Sequence, residues 1–279
     1  MKLNVLPASA GAQWVRVSIR TFWRQSLALG TVFILQLAAL MFLSLFIPII
    51  GYIVALILKP AFTVGMMAAT REAEGGKPPR PFLLFTALRQ GAARTRAMIA
   101  LGLLYAAAVM VVMGVFMLIG DEPLKAVMTF MVNNPRPSPD QIETQIAPAL
   151  LDPRLNLAAL VAMTLYALAG LVFWHAPALM HWHGVPVVKS LFFSTVAVLR
   201  NARAFLLYGL LWLCLGMSAM SVLMLLAALG GSVGLIVGGA LQFPLALIIW
   251  AMFAASQWFT FRDSFVPDAP PPEAASTAG

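Results

Sequence analysis

The stretch LALGTVFILQLAALMFLSLFI, from Leu27 to Ile47, decides the fold because no charged residue interrupts it. A helix of about 20 apolar residues crosses the roughly 30 Å hydrocarbon layer of a bilayer. Continuous apolar runs of this length disfavour an outer-membrane barrel, whose alternating strands have about ten residues. Five similar stretches follow, so the sequence predicts six transmembrane helices over residues 27–47, 49–70, 97–119, 157–179, 205–229 and 233–259.

The composition of the 279 residues agrees with a membrane protein. Apolar residues make up 61% of the chain and charged residues only 10%, and the mean hydropathy is +0.91. A soluble domain carries about 25% charged residues, and so few charges could not cover its surface. The composition therefore excludes a soluble enzyme and a disordered chain. The single cysteine, Cys214, excludes a disulfide-rich secreted domain.

Charges are unevenly distributed among the segments that connect the spans. Bases outnumber acids before the first span, between the second and third, and between the fourth and fifth, whereas acids outnumber bases in the loop 120–156. Bases near the ends of spans stay in the cytoplasm. We therefore expect both termini in the cytoplasm and the loop 120–156 outside. The net charge of +8 then reports orientation and contact with anionic headgroups rather than binding of nucleic acid.

Three basic segments carry the pattern of amphipathic helices, over residues 13–25, 82–94 and 187–200. Because each segment precedes two spans, the chain resembles a threefold repeat. The predicted fold class is an all-α polytopic membrane protein with six transmembrane helices as three hairpin-like pairs, each preceded by a cytoplasmic amphipathic interfacial helix. Residues 1–265 are expected to form one transmembrane domain, and the proline-rich residues 266–279 a disordered cytoplasmic tail.

The first amphipathic segment is a candidate for contact with lipid headgroups. Arg16, Arg20 and Arg24 recur every four residues and so lie on one face of a helix. Trp14 and Trp23 flank this face. A helix in the membrane interface directs its cations to headgroups and its aromatic rings to the boundary of the hydrocarbon. We therefore expect all five side chains to contact lipid headgroups.

Lys59 is the ionisable residue that lies deepest in a predicted span. A lysine there costs about 2.5–3.5 kcal/mol on insertion scales, so such residues usually mark a functional site. Pro60 follows it and removes a backbone donor, which loosens the helix. With Gln36 and Gln242 as further polar groups at depth, these residues are candidates for a substrate site or path. The alternatives are a lysine that extends toward the interface or donates to carbonyl groups freed at the proline, and glutamines that join helices.

Two other patterns have a structural and a functional interpretation. The histidines His175, His181 and His183 cluster within FWHAPALMHWHG and are weak candidates for a metal or haem site. On an ideal helix they do not converge, and rings at the headgroup level are the alternative interpretation. Separately, the spacing of three glycines at the start of the last span predicts close helix packing, at Gly230, Gly234 and Gly238.

Several segments of the chain resemble an uncharacterised family of proteobacterial multipass inner-membrane proteins. These segments are MKLNVLPASAGAQWVRVSIRTFWRQ, MMAATREAEGG, FWHAPALMHWHGVPVVKSLFFS and FTFRDSF. The resemblance covers nearly the whole chain except the loop near 121–155 and the tail. It implies location and class, and it implies no catalytic residue.

The sequence favours a non-enzymatic inner-membrane protein that interacts with lipids or helps to assemble a complex. It contains no nucleotide-binding, hydrolase or zinc-protease motif, and we expect no cofactor. The expected partners are membrane lipids, including anionic headgroups; a homo-oligomer or a membrane-protein partner is left open. The alternatives are a transporter of small solutes or lipids with a site near Lys59 and Pro60, and a metal or haem protein that uses His175–His183.

Overall fold

The computed structural model describes residues 2–47 and 49–266, without the side chains of Pro139 and Val266. The predicted tail lies outside the described residues from position 267 onward. Val266 itself does not belong to a tail, because its backbone pairs with Lys2 in a short antiparallel ladder of β1 (Lys2–Leu3) and β2 (Phe265–Val266). The two ends of the described chain therefore lie side by side.

Helices form nearly all of the described chain. In chain order they are α1 (Ser9–Arg24), α2 (Ser26–Phe46), α3 (Ile50–Glu74), a 3₁₀ helix (Pro81–Leu88), α4 (Ala92–Ile119), α5 (Asp121–Asn133), α6 (Pro139–Gln141), a π-helical turn (Ile142–Ile146), α7 (Ala147–Leu150), α8 (Pro153–Phe173), α9 (Ala176–His183), α10 (Val187–Arg200), α11 (Ala202–Leu229) and α12 (Gly231–Ser264). Within the described residues, six of these stretches are long and apolar enough to span a membrane, with α8 and α9 together forming the fourth.

The spans pack as three pairs, α2 with α3, α4 with α8, and α11 with α12. A shorter helix precedes each pair: α1, the 3₁₀ helix and α10 respectively. Helix α3 is the central element, because it contacts α2, α4 and α12. In its apolar stretch 61% of the residues are buried inside the protein, against 6–22% in the other five spans. The structure confirms the predicted all-α fold with six transmembrane helices in pairs.

Two predicted boundaries are wrong, and each has a local cause. The segment 82–94 is not one amphipathic helix: the 3₁₀ helix ends at Leu88, and Gly91, at φ +95°, separates it from α4. Likewise the fourth span is not continuous over 157–179, because α8 ends at Phe173 and α9 starts at Ala176. Pro177 is the second residue of α9, where its missing N–H costs no helical hydrogen bond.

Helix α1 lies against protein rather than lipid along its apolar face. It packs on α11 and α12, with Trp14 and Phe22 buried. Gly11 permits this approach, because a Cβ atom at this position would overlap the carbonyl oxygen of Ala204 in α11. The apolar face of α1 therefore contacts other helices of the protein. Its arginine-bearing face is exposed.

The main hydrophobic core lies at the end of the bundle that carries both chain ends. It joins α1 to the second half of α3, to α9, to the start of α11 and to the end of α12, and it includes Trp14, Met67, Leu179, Tyr208 and Phe259. Toward the opposite end the spans expose most of their apolar side chains, as expected for surfaces that face lipid. The main hydrophobic core therefore lies at one end of the bundle.

The glycines of the last span lie where α11 and α12 touch. A Cβ atom at Gly234 would overlap the carbonyl oxygen of Leu226, and one at Gly238 would stand 3.3 Å from the carbonyl oxygen of Leu223. At Gly239 a Cβ atom meets nothing within 4 Å. A side chain therefore fits at Gly239 but not at Gly234.

We expect Gly234→Leu to destabilise the protein and Gly239→Leu to leave it unchanged. Forcing a side chain into a packed contact costs about 1–3 kcal/mol, because helix and side chain must shift. The thermal midpoint of unfolding in detergent micelles measures the difference between the two variants. Equal midpoints for both would contradict the close contact at Gly234.

Candidate functional site

Lys59 lies in the middle of α3 and binds two tyrosine hydroxyls. Its Nζ atom donates to Tyr105 Oη at 2.7 Å and to Tyr166 Oη at 3.0 Å, and the two hydroxyl oxygens are 3.2 Å apart. Tyr105 comes from α4 and Tyr166 from α8. The lysine therefore does not extend to the interface; side chains from two other spans solvate it inside the membrane.

The ammonium group of Lys59 has no acidic partner among the described residues. The ion pairs there join Lys125 to Asp121, and Arg262 to Glu74 and Asp263. An ammonium group has three N–H donors, and the two phenols accept two of them. One donor and the full positive charge therefore remain available to an anionic group.

A cavity of about 550 Å³ reaches this lysine. Gln36 of α2, Pro60 and Thr63 of α3, and Gln257 of α12 contribute to its lining, and Gln36 Oε1 is buried without a hydrogen-bond partner in the described structure. The rest of the lining is almost wholly apolar, and no carboxylate belongs to the part of it that the structure describes. The size falls within the roughly 300–1,000 Å³ of ordinary ligand pockets.

The cavity lies between α8 and α12, which pack mainly on other helices. Helix α8 packs on α4 and α10, whereas α12 packs on α11, α1, α3 and α2. Trp174, just after α8, closes the space at the packed end: its Nε1 atom donates to Thr260 Oγ1 at 3.0 Å. Farther along, Tyr166 and Trp250 are 45% and 61% exposed on the lipid-facing side of the spans. The cavity therefore opens sideways toward the bilayer.

The structure brings together only some of the residues predicted for a path. Lys59, Pro60 and Gln36 line one cavity, as the alternative of a substrate site requires. Gln242 does not join them, because it lines a second cavity, of about 540 Å³, between α11 and α12. Sequence reasoning missed Tyr105 and Tyr166. Their mid-span position was visible, but nothing in the sequence indicates that side chains of different spans meet.

Trp14 is not a headgroup contact. Its indole lies 5.1 Å from the ring of Phe205 and 6.0 Å from that of Tyr208, centroid to centroid, and its Nε1 atom donates to Asp263 Oδ2 at 3.0 Å. The prediction failed because the face that carries Trp14 packs on α11. The other four predicted headgroup contacts are exposed, namely Arg16, Arg20, Trp23 and Arg24.

The three histidines have separate surroundings. His175 is buried among the rings of Phe205, Phe261 and Phe265, at 5.4–5.9 Å between centroids. His181 lies 3.2 Å from the Gln90 side chain through its Nε2 atom, and His183 contacts the ring of Phe261. Across residues 2–47 and 49–266, no group of three His, Cys, Asp or Glu side chains could hold a metal ion. The structure thus offers no metal site built from this cluster.

A relative accounts for the class of the protein. The chain is 36% identical, over 267 residues, to a probable inner membrane protein of Burkholderia thailandensis, and the match covers 95% of this chain and 94% of that protein. The chain belongs to this family of inner-membrane proteins. No family model matches it. No solved structure matches it either. Family membership and the six spans together show a multipass membrane protein whose helices contact lipid.

We expect Tyr105→Phe to destabilise the protein more when Lys59 is present than when it is replaced. A hydrogen bond to a charged group contributes about 1.5–3 kcal/mol, and removing the acceptor leaves the ammonium poorly solvated. Unfolding in detergent micelles, measured for each single variant and for the pair with Lys59→Met, gives the coupling between the two residues. Tyr52→Phe, on an exposed tyrosine of α3, is the matched control. Equal costs of Tyr105→Phe with and without Lys59 would refute the coupling.

Proposed function

We propose that the chain is a non-enzymatic, lipid-interacting protein of the inner membrane that binds an anionic group at Lys59. The observation that carries the proposal is the available charge of Lys59 at the wall of a cavity that opens toward the bilayer. At an effective dielectric constant near 20, two opposite charges 4 Å apart attract by about 4 kcal/mol. An anionic group in the cavity would therefore stabilise the lysine, and the lysine would select for it.

The lining of the cavity supports binding rather than bond cleavage. It offers one ammonium group, two phenols, two amides and the hydroxyl of Thr63 on an apolar background. These groups donate and accept hydrogen bonds to a bound molecule. Nucleophilic catalysis needs a nucleophile with a positioned base, an arrangement that this set of groups does not suggest.

We also propose that both ends of the chain face the cytoplasm, with the loop 120–156 outside. The ladder between Lys2 and Val266 supports the location of both ends on one side of the membrane. The excess of bases in the segments of that side supports the cytoplasmic assignment. In this orientation the exposed arginines of α1 would meet the anionic headgroups of the inner leaflet.

Transport of a lipid or small solute at Lys59 is the second candidate function. The cavity at Lys59 and the proline that follows favour it, because a Pro-containing turn can adjust its backbone more readily than a regular helix. Movement of the bound lipid between the two leaflets of reconstituted vesicles would distinguish transport from binding alone.

We expect Lys59→Met to weaken the binding of an anionic lipid by about tenfold, since one charge-assisted contact is lost. The rise in the thermal midpoint on addition of phosphatidylglycerol to protein in neutral micelles reports the affinity. Lys125→Met is the control, because Lys125 is an exposed lysine whose contact is Asp121. An unchanged response in Lys59→Met would overturn the proposal.

The combined variant Arg16→Ser, Arg20→Ser and Arg24→Ser tests the surface contact separately. Each exposed base near an anionic membrane contributes about 1 kcal/mol of attraction, so we expect the response to phosphatidylglycerol to fall and its salt dependence to weaken. Lys59→Met should leave the salt dependence in place, because the cavity is screened less than the surface. If the triple variant binds like the wild type at every salt concentration, α1 has no role in headgroup binding.

A further inference from the structure

The middle of the pair α11 and α12 is open, although both of its ends are joined. At one end the two helices touch through Gly234 and Leu226. At the other end the hydroxyls of Tyr208 and Ser256 lie 2.6 Å apart. Between these contacts the helices leave a groove of about 540 Å³. Small side chains on both walls, including Gly216 and Ala246, create this space.

The groove adjoins the cavity of Lys59. Trp250 and Phe253 of α12 line both spaces, with their ring centroids 6.0 Å apart. The two spaces differ in polarity. The cavity of Lys59 holds the ammonium group with its phenols and amides, whereas the groove is lined by apolar side chains apart from the amide of Gln242 and the indoles of Trp212 and Trp250. One end therefore suits a charged head and the other an apolar chain.

We propose that the ligand of the Lys59 site is an anionic amphiphile, with its head at Lys59 and its long apolar chain in the groove between α11 and α12. The inference rests on the proposed function, because it assumes that an anion binds at Lys59. A small anion would fill the cavity of Lys59 and leave the groove without an occupant. A chain that passes over Trp250 and Phe253 fills both, and the lateral opening lets it enter from the bilayer.

Glycines on α11 allow the groove to be filled without disturbing the backbone. A Cβ atom at Gly216 meets nothing within 4 Å, and this residue lines the groove. Gly209, on the same helix and also open to a Cβ atom, does not belong to the lining of either space. Gly216→Phe therefore occupies the groove, and Gly209→Phe is its matched control.

The test uses a palmitic acid analogue with a photoreactive diazirine at the end of its chain. After irradiation of the full-length protein in neutral micelles, mass spectrometry maps the labelled residues. We expect label on groove residues such as Met217 and Met220, reduced about tenfold by Gly216→Phe and by Lys59→Met and unchanged by Gly209→Phe. A butyric acid analogue with the same diazirine should label the Lys59 cavity equally in the wild type and in Gly216→Phe, which shows that this variant is folded.

The outcomes separate the inference from the proposed function. If the wild type is labelled outside the groove and Lys59→Met removes that label, an anion binds at Lys59 but its chain lies elsewhere, and the inference is wrong. If Lys59→Met changes the labelling by neither analogue, the proposed function fails as well. Equal labelling of the groove in Gly216→Phe and in the wild type also overturns the inference.

Discussion

The charge of Lys59 must be solvated inside the hydrocarbon layer, and the way in which the protein does this connects its spans. In water an ammonium group binds water molecules, whereas in the bilayer only other side chains and ligands can replace them. Tyr105 and Tyr166 supply two hydroxyls from α4 and α8. The half-buried cation of Lys59 thus joins the central helix α3 to the second pair of spans. Because phenols supply no negative charge, the same contact leaves an electrostatic attraction for an anion.

At the end of the bundle that carries both chain ends, by contrast, the carboxylates of Glu74 and Asp263 are paired within the protein. Glu74 of α3 accepts from Trp258 Nε1 at 2.7 Å and forms an ion pair with Arg262. Asp263 accepts from Trp14 and from Arg262. These contacts join α1, α3 and α12. Apolar packing gives spans little net attraction in lipid, since the lipid chains are equally apolar, so polar contacts and close packing determine which helices stay together.

The sequence allowed the spans and their pairing to be predicted, because the cost of placing charges in hydrocarbon leaves a strong record in the order of residues. The sequence was less informative about whether the apolar face of a helix contacts lipid or another helix. Periodicity places the apolar residues of α1 on one side of the helix, but lipid and another helix are both apolar and satisfy the same pattern. The structure shows protein there, where Gly11 meets Ala204.

At the candidate site, the sequence indicated one important residue but not the residues of other spans that contact it. Lys59 could be selected from the sequence because a lone cation at depth is rare. Gln36 and Gln242 were equivalent in the sequence, and only the packing of α12 separates them into two spaces. Tyr105 and Tyr166 are 61 positions apart, so no local pattern relates them. Contacts between distant spans depend on the crossing of helices, which hydropathy does not encode.

The contacts at the two ends of α12 allow the middle of this helix to remain loosely packed. Tight contacts at Glu74, Asp263 and Ser256 hold α12 near one end, and the glycine contact with Leu226 holds it near the other. With both ends held, the middle of α12 does not need to pack on α8 or fully on α11 for the fold to persist. The two spaces beside Trp250 and Phe253 can therefore exist without loss of the bundle. In a membrane such spaces fill with lipid chains at little cost, and the single cation at their polar end favours molecules that also bear a negative charge.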